Sequence, residues 1–141
     1  MEEPKQYIIL RKNPPTKTGE PVSPAKMAVM TAHASMAFLV RKFVSIMNDE
    51  VSVERVNETE AEWLTGSFAK VLLEAKDLNK IKKKAEDNGF IEDKDFFCIH
   101  DECRTELLPD EGENTCFMAI GFRPMLPSAL EKVVKRLQVY K

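Results

Sequence analysis

Phe68-Ala69-Lys70-Val71-Leu72-Leu73-Glu74, then Asp77 to Gly89, then Phe96-Phe97-Cys98-Ile99 are the three consecutive blocks that decide the fold. The first is a short apolar run bounded by Gly66 and Asp77, and its length suits a buried strand. The second places Leu78, Ile81 and Ala85 at helical spacing, with Asp77 as N-cap and Gly89 as terminator. The third is strand-like again. A strand, a helix and a strand in succession imply right-handed crossovers and a parallel portion of sheet covered on both faces.

Working outward, Gln6 to Arg11 reads as a buried first strand, and Lys12 to Pro21, with Asn, three Pro and a Gly, as a loop. Ser23 is an N-cap and Pro24 takes the first helical position, where its missing N–H would have had no partner. Ala25 to Met47 lacks Gly and Pro and keeps Met27, Met30, Ala34, Ala37, Phe38 and Val44 at helical spacing, so it is a long helix with those residues inward. Asn48 to Asn57 is polar and reads as fraying or a turn, and Glu58 to Leu64 as a helical turn that parks Trp63 on the core. Strands at Phe96 to His100 and Cys116 to Gly121 follow one another without a helix, which suggests an antiparallel or mixed edge. Ser128 to Leu137, after Pro127, is a last helix. The expected architecture is α/β, one domain over residues 1–141. It has a four-stranded mixed sheet flanked by helices on both faces, in the order β-α-β-α-β-β-α.

The bulk properties fit that reading. With 141 residues, 43% hydrophobic and 31% charged, the chain can bury a core without disulfides or metal. No apolar run is expected to approach the length needed to span a bilayer, and no membrane partner is expected. The charged start, Met1-Glu2-Glu3-Pro4-Lys5, lacks the basic and apolar blocks of an export signal, so cytoplasmic residence is the default. Three cysteines, an odd number, read as free thiols. A net charge of −2 argues against nucleic-acid binding by bulk positive potential, yet leaves room for local patches. Lys80, Lys82, Lys83 and Lys84 crowd one helix, and Lys132, Lys135, Arg136 and Lys141 the C-terminal end, with a solvated helix face as the plainer reading of both.

Chemistry concentrates in Asp101-Glu102-Cys103-Arg104-Thr105-Glu106-Leu107, a polar turn at the end of a strand. Asp101 suits a general base for water, or an Asx-turn to the backbone at Cys103. Arg104 and Thr105 can donate to a carbonyl or phosphate oxygen, and Thr115 is a weaker member of the same cluster. Lys26 stands in the first turn of the long helix, where the dipole disfavours an ammonium unless it meets negative charge. Lys26 and Asp101 are therefore the expected pair. His33, flanked by Ala32 and Ala34, reads first as a packing histidine and second as a site residue. Cys98, His100 and Cys103 are suitable zinc ligands in type, but no second ligand pair completes a four-coordinate site. A Cys103 nucleophile lacks a positioned base.

Together these residues resemble the type II peptidyl-tRNA hydrolases. Lys26-Met27-Ala28-Val29-Met30-Thr31-Ala32-His33-Ala34 is similar to that family's Lys-x-Ala-x-Gln-x-x-His-Ala pattern, with Met30 in place of Gln. Asp101, Arg104, Thr105, Glu106 and Leu107 fit its Asp-Ala-Gly-x-Thr-Gln/Glu-Ile/Val turn, with Glu102-Cys103 in place of Ala-Gly, and Ala119-Ile120-Gly121 fits the strand that follows. Ala69 to Ala75 is similar to its Lys-Val-Val-Leu strand, so the resemblance runs from Gln6 to Lys141, with a longer loop at Lys12 to Ser23. It implies cleavage of the ester between a peptide, or an N-blocked amino acid, and the 3′ ribose of tRNA. On that basis Asp101 orients and deprotonates water, Lys26 stabilises the oxyanion or leaving alkoxide, and Thr105 fixes water or substrate. His33, Arg104 and Thr115 bind substrate, and Arg104 with the Lys80 to Lys84 cluster meets tRNA phosphates. No metal or organic cofactor is expected, and a homodimer is left open. The alternative is a catalytically reduced member that serves as an RNA- or protein-binding module, motivated by Met30 and Glu102-Cys103.

Overall fold

The computed structural model describes residues 2–50 and 55–141. Within the stretch expected to fray or turn, residues 51–54 lie outside the described residues. The elements are β1 (Gln6–Arg11), α1 (Pro24–Met47), α2 (Glu58–Thr65), β2 (Lys70–Ala75), α3 (Leu78–Asp87), β3 (Phe96–Asp101), β4 (Cys116–Phe122), α4 (Pro127–Val134) and β5 (Gln138–Val139). They form a single α/β domain around one mixed sheet ordered β3-β4-β1-β2-β5. β1 and β2 are the parallel pair, joined through α1 and α2, and β4 runs antiparallel to both β1 and β3.

Several expectations need correction. The sheet has five strands: Gln138 and Val139 pair antiparallel with Glu74 and Leu73, and the last helix stops at Val134. A two-residue strand has no periodicity to read. The helical turn at Glu58 is a full element, closed by a reciprocal capping box between Asn57 and Glu60, so the order is β-α-α-β-α-β-β-α-β. The second strand also starts later than expected, because Phe68 sits at φ 56°, outside any strand conformation.

Alternation along β1 sorts the core. Ile8 and Leu10 pack with Met27, Met30 and Ala34 of α1, while Ile9 packs with Ile81 of α3 and Leu130 and Val133 of α4. Helices therefore cover both faces. On α1 the buried stripe runs Met27, Met30, Ala34, Phe38 and continues in phase to Lys42 and Ser45. Val44 falls out of that phase and is 39% exposed, contrary to its expected inward position. Phe38 meets Trp63 edge-to-face at 6.0 Å, and the Trp63 indole N–H donates to the Ala69 carbonyl at 2.7 Å, which anchors α2.

α1 is also long and apolar enough, by length and composition alone, to cross a membrane, against the expectation that no run would be. Its inner stripe is built into the core of this domain. Two contacts fix its height on the sheet. Gln6 and Ser35 exchange hydrogen bonds, the amide donating to the Ser35 carbonyl at 2.8 Å and the hydroxyl donating to Gln6 Oε1 at 2.6 Å. At Gly121 of β4 the helix backbone comes so close that a Cβ there would stand 2.1 Å from the Ala34 carbonyl oxygen.

Candidate active site

Asp101 ends β3 and Lys26 lies in the first turn of α1, and they meet: Lys26 Nζ donates to Asp101 Oδ1 at 3.1 Å. The helix start is specified locally. Ser23 Oγ accepts from the Lys26 amide at 3.2 Å, and Pro24 occupies the first helical position. An ammonium at that end opposes the helix dipole, and the Asp101 carboxylate offsets the conflict. Both side chains are mostly buried, so their attraction is screened less than that of a surface pair.

The turn after β3 realises the Asx geometry as well. Asp101 Oδ2 accepts the Cys103 amide at 2.8 Å, and Cys103 takes φ 62°, a left-handed conformation costly for a residue with a Cβ. Register slips by one between Ile99↔Ala119 and His100↔Phe117, leaving Met118 unopposed next to the site. The His100 ring stacks on Phe117 at 4.8 Å.

Glu106 clamps the turn to α1, a role that sequence reasoning missed. It accepts from the Ser23 amide at 2.8 Å and from the Ser23 hydroxyl at 2.6 Å. Those bonds, aided by Lys26, hold its carboxyl below the usual range although desolvation opposes them. The signal was present in the sequence only as an acidic residue in the turn, with no way to know that an N-cap 83 positions away would face it. The loop at residues 12–23 is tied to the same turn, Lys17 donating to the Glu106 carbonyl at 2.8 Å and Leu108 to that of Pro15 at 3.0 Å.

A cavity of about 270 Å³ opens beside the pair. Lys26, Met30 and His33 line it from α1, Asp101, Arg104 and Thr105 from the turn, and His100 and Glu102 complete the rim. His33 is exposed and faces this space, so its first reading as a packing residue is corrected. Met30 is buried and forms an apolar wall. Arg104 pairs with Glu102 at 2.7 Å, both well exposed, so the extra acid of this turn is neutralised on the outside. Thr115 does not line the cavity; its hydroxyl lies 3.4 Å from His100 Nδ1. A larger hollow of about 730 Å³ lies under the 12–23 loop, walled by Arg11, Val22, Met27 and Tyr140, and includes neither Lys26 nor Asp101.

The cysteines offer no nucleophile. Burial pushes the Cys98 thiol up to about 12 and that of Cys116 to about 11, and burial with the Asp101 charge raises Cys103 too, the reverse of what a reactive thiolate requires. Among the described residues no three His, Cys, Asp or Glu side chains are grouped to hold a metal ion.

Behind the site, Asp110 binds the Arg11 guanidinium at 2.6 Å and the Phe117 amide at 2.7 Å. Burial pulls its carboxyl upward, but the Phe117 N–H and Arg11 outweigh that and leave it below the usual value. A lowered carboxyl contributes stability that is complete above its unfolded value and is lost as pH falls through the folded one. With Asp110 and Glu106 both lowered, the melting temperature should hold near neutral pH and decline below about pH 4.5. Asp110→Asn should flatten part of that decline in calorimetric scans, and an unchanged pH slope would remove Asp110 from the account.

A family model described as peptidyl-tRNA hydrolase PTH2 matches residues 4–140. No curated protein matches the chain significantly.

Proposed function

The chain belongs to the PTH2 peptidyl-tRNA hydrolase family, and from that membership we propose that it cleaves the ester joining a peptide, or an N-blocked amino acid, to the 3′ ribose of tRNA. The observation that carries this reading is the Lys26–Asp101 contact at 3.1 Å on the wall of an open cavity. An ionised carboxylate has about four acceptor sites, and Lys26 and Cys103 use two, which leaves Asp101 able to hold an attacking water. Asp101 orients that water and takes its proton as the oxygen adds to the ester carbonyl. Lys26, already hydrogen-bonded there, turns toward the oxyanion and then eases departure of the ribose alkoxide. Thr105, exposed on the rim, positions water or substrate by its hydroxyl. His33 and Arg104 border the entering substrate, and Thr115 acts only through His100.

The expected Lys80 to Lys84 cluster divides. Lys82 is paired with Glu92 at 3.0 Å and Lys83 with Asp87 at 3.1 Å. Lys80 and Lys84 instead line a groove of about 450 Å³ with Lys12, Lys76 and Arg136, against the acids Glu74 and Asp77. This groove begins where β2 ends, at the same end of the sheet as Asp101, because β3 runs parallel to β2. It is the surface that suits tRNA phosphates, and affinity through it falls with added salt, because counterions released into a more concentrated solution gain less free energy. A cytoplasmic setting in translation, with free thiols, completes the reading.

The test is incubation of the purified chain with an N-blocked aminoacyl-tRNA. Cleavage with a KM that rises with salt is expected. Salt-sensitive tRNA binding without any cleavage would replace the hydrolase by a binding module, which the apolar Met30 wall would then explain.

A further inference from the structure

His100 and Asp101 are consecutive on β3, so their side chains leave the sheet on opposite faces. Asp101 shares the α1 face with Ile99, and His100 shares with Phe96 and Cys98 the face that α3 and α4 cover. The imidazole lies nearly flat on the ring of buried Phe117, centroids 4.8 Å apart and planes 23° from parallel. The Thr115 hydroxyl stands 3.4 Å from Nδ1 and steadies its edge. His100 is nevertheless exposed, so the ring face turned away from Phe117 is the open one, at the rim of the cavity that holds Asp101.

A continuous path leads from this ring back to the basic groove. Phe117 also lines a hollow of about 380 Å³ with Arg11, Lys76 and Asn79, and Lys76 is shared with the groove of Lys80, Lys84 and Arg136. Of the acids in that hollow, Asp77 is tied to the first amides of α3 and Asp110 to Arg11, while Glu111 is exposed. Three inter-strand steps separate the end of β2 from the end of β3, roughly 14 Å, which a few unpaired nucleotides cover.

We propose that His100 is the stacking platform for the base at the 3′ end of the tRNA. The imidazole, backed by Phe117, carries the terminal adenine on its open face, and the ribose ester crosses the end of β3 to Asp101 and Lys26. The inference deepens the hydrolase reading and rests on it for the identity of the ligand. Phosphates in the basic groove and the base on His100 then lie on one face of the sheet, and the peptide leaves over the other, past the apolar wall of Met30. Stacking suits an unpaired end because every base has a π-face, and it needs none of the bulk positive charge that a chain of net charge −2 lacks.

The probe is deacylated tRNA with 2-aminopurine in place of its terminal adenine, a fluorophore whose emission falls when it stacks. Wild type should quench it on binding. His100→Ala should lose the quench and raise the KM for N-blocked aminoacyl-tRNA by about 5- to 100-fold, the usual worth of one stacked base, with kcat at saturation and melting temperature unchanged. His100→Phe should retain both signals, since a phenyl ring stacks but carries no proton and no hydrogen bond. A quench that persists in His100→Ala, a KM within about twofold of wild type, or a His100→Phe variant as impaired as His100→Ala overturns the platform. Quenching by wild type without ester cleavage keeps the platform and removes the hydrolase; cleavage without quenching does the reverse, and absence of both signals overturns both.

Discussion

Asp101→Asn should lower the rate of ester cleavage by about 10² to 10⁴, the usual worth of a positioned base. Lys26→Ala should cost about 10² to 10³, the scale seen when one oxyanion donor is removed. Asparagine keeps an acceptor for the Cys103 amide, so the left-handed turn survives while the basic oxygen is lost. Loss of the ammonium leaves Asp101 with its Cys103 bond and leaves the Ser23 cap intact. Single-turnover kinetics on an N-blocked aminoacyl-tRNA, with melting curves run alongside, separate chemistry from folding. The double variant should be little worse than Asp101→Asn alone, because the two groups act on one transition state. Wild-type rates in both single variants would end the assignment of roles.

Gly121→Ala should be the most damaging small substitution in the domain. The added methyl would stand 2.1 Å from a main-chain oxygen of α1, so trimming a neighbouring side chain gives no relief. Helix or strand must move, and overpacking of this kind costs about 1–3 kcal/mol and sometimes more. A loss of about 3 kcal/mol corresponds to a fall of roughly 10 °C in melting temperature for a domain of this size. Lys26 rides on the helix and Asp101 on the strand paired with β4, so residual activity measured well below the melting temperature should fall too. A variant that melts within about 2 °C of wild type would show that the close approach is not a constraint.

Much of this could be read from local chemistry. Ser23-Pro24 announced the start of α1, Asp77 and the apolar residues after it announced α3, the strand-helix alternation announced a parallel portion of sheet, and the two consecutive strands after it announced a mixed edge. The pairing of Lys26 with Asp101 was reasoned from an ammonium at the wrong end of a helix. What stayed hidden depends on distance along the chain or on counts too small to show a pattern. Gln138 and Val139 make a strand only because Leu73 and Glu74 have a free edge. Glu106 finds its role across 83 residues, and the fate of Lys82 and Lys83 is set by the acids they meet. The exposure of His33 follows from the rotational phase of α1, which Gly121 and the Gln6–Ser35 exchange determine from beneath.

Trp63 is the sole tryptophan, wedged between Phe38 of the long helix and Phe68, whose ring lies 4.3 Å away, with the Lys70 ammonium 5.0 Å over its own ring. The molecule thus carries a native fluorophore at the joint between its two N-terminal helices. Emission colour and quenching report, without any label, whether that joint is shut or has opened to water.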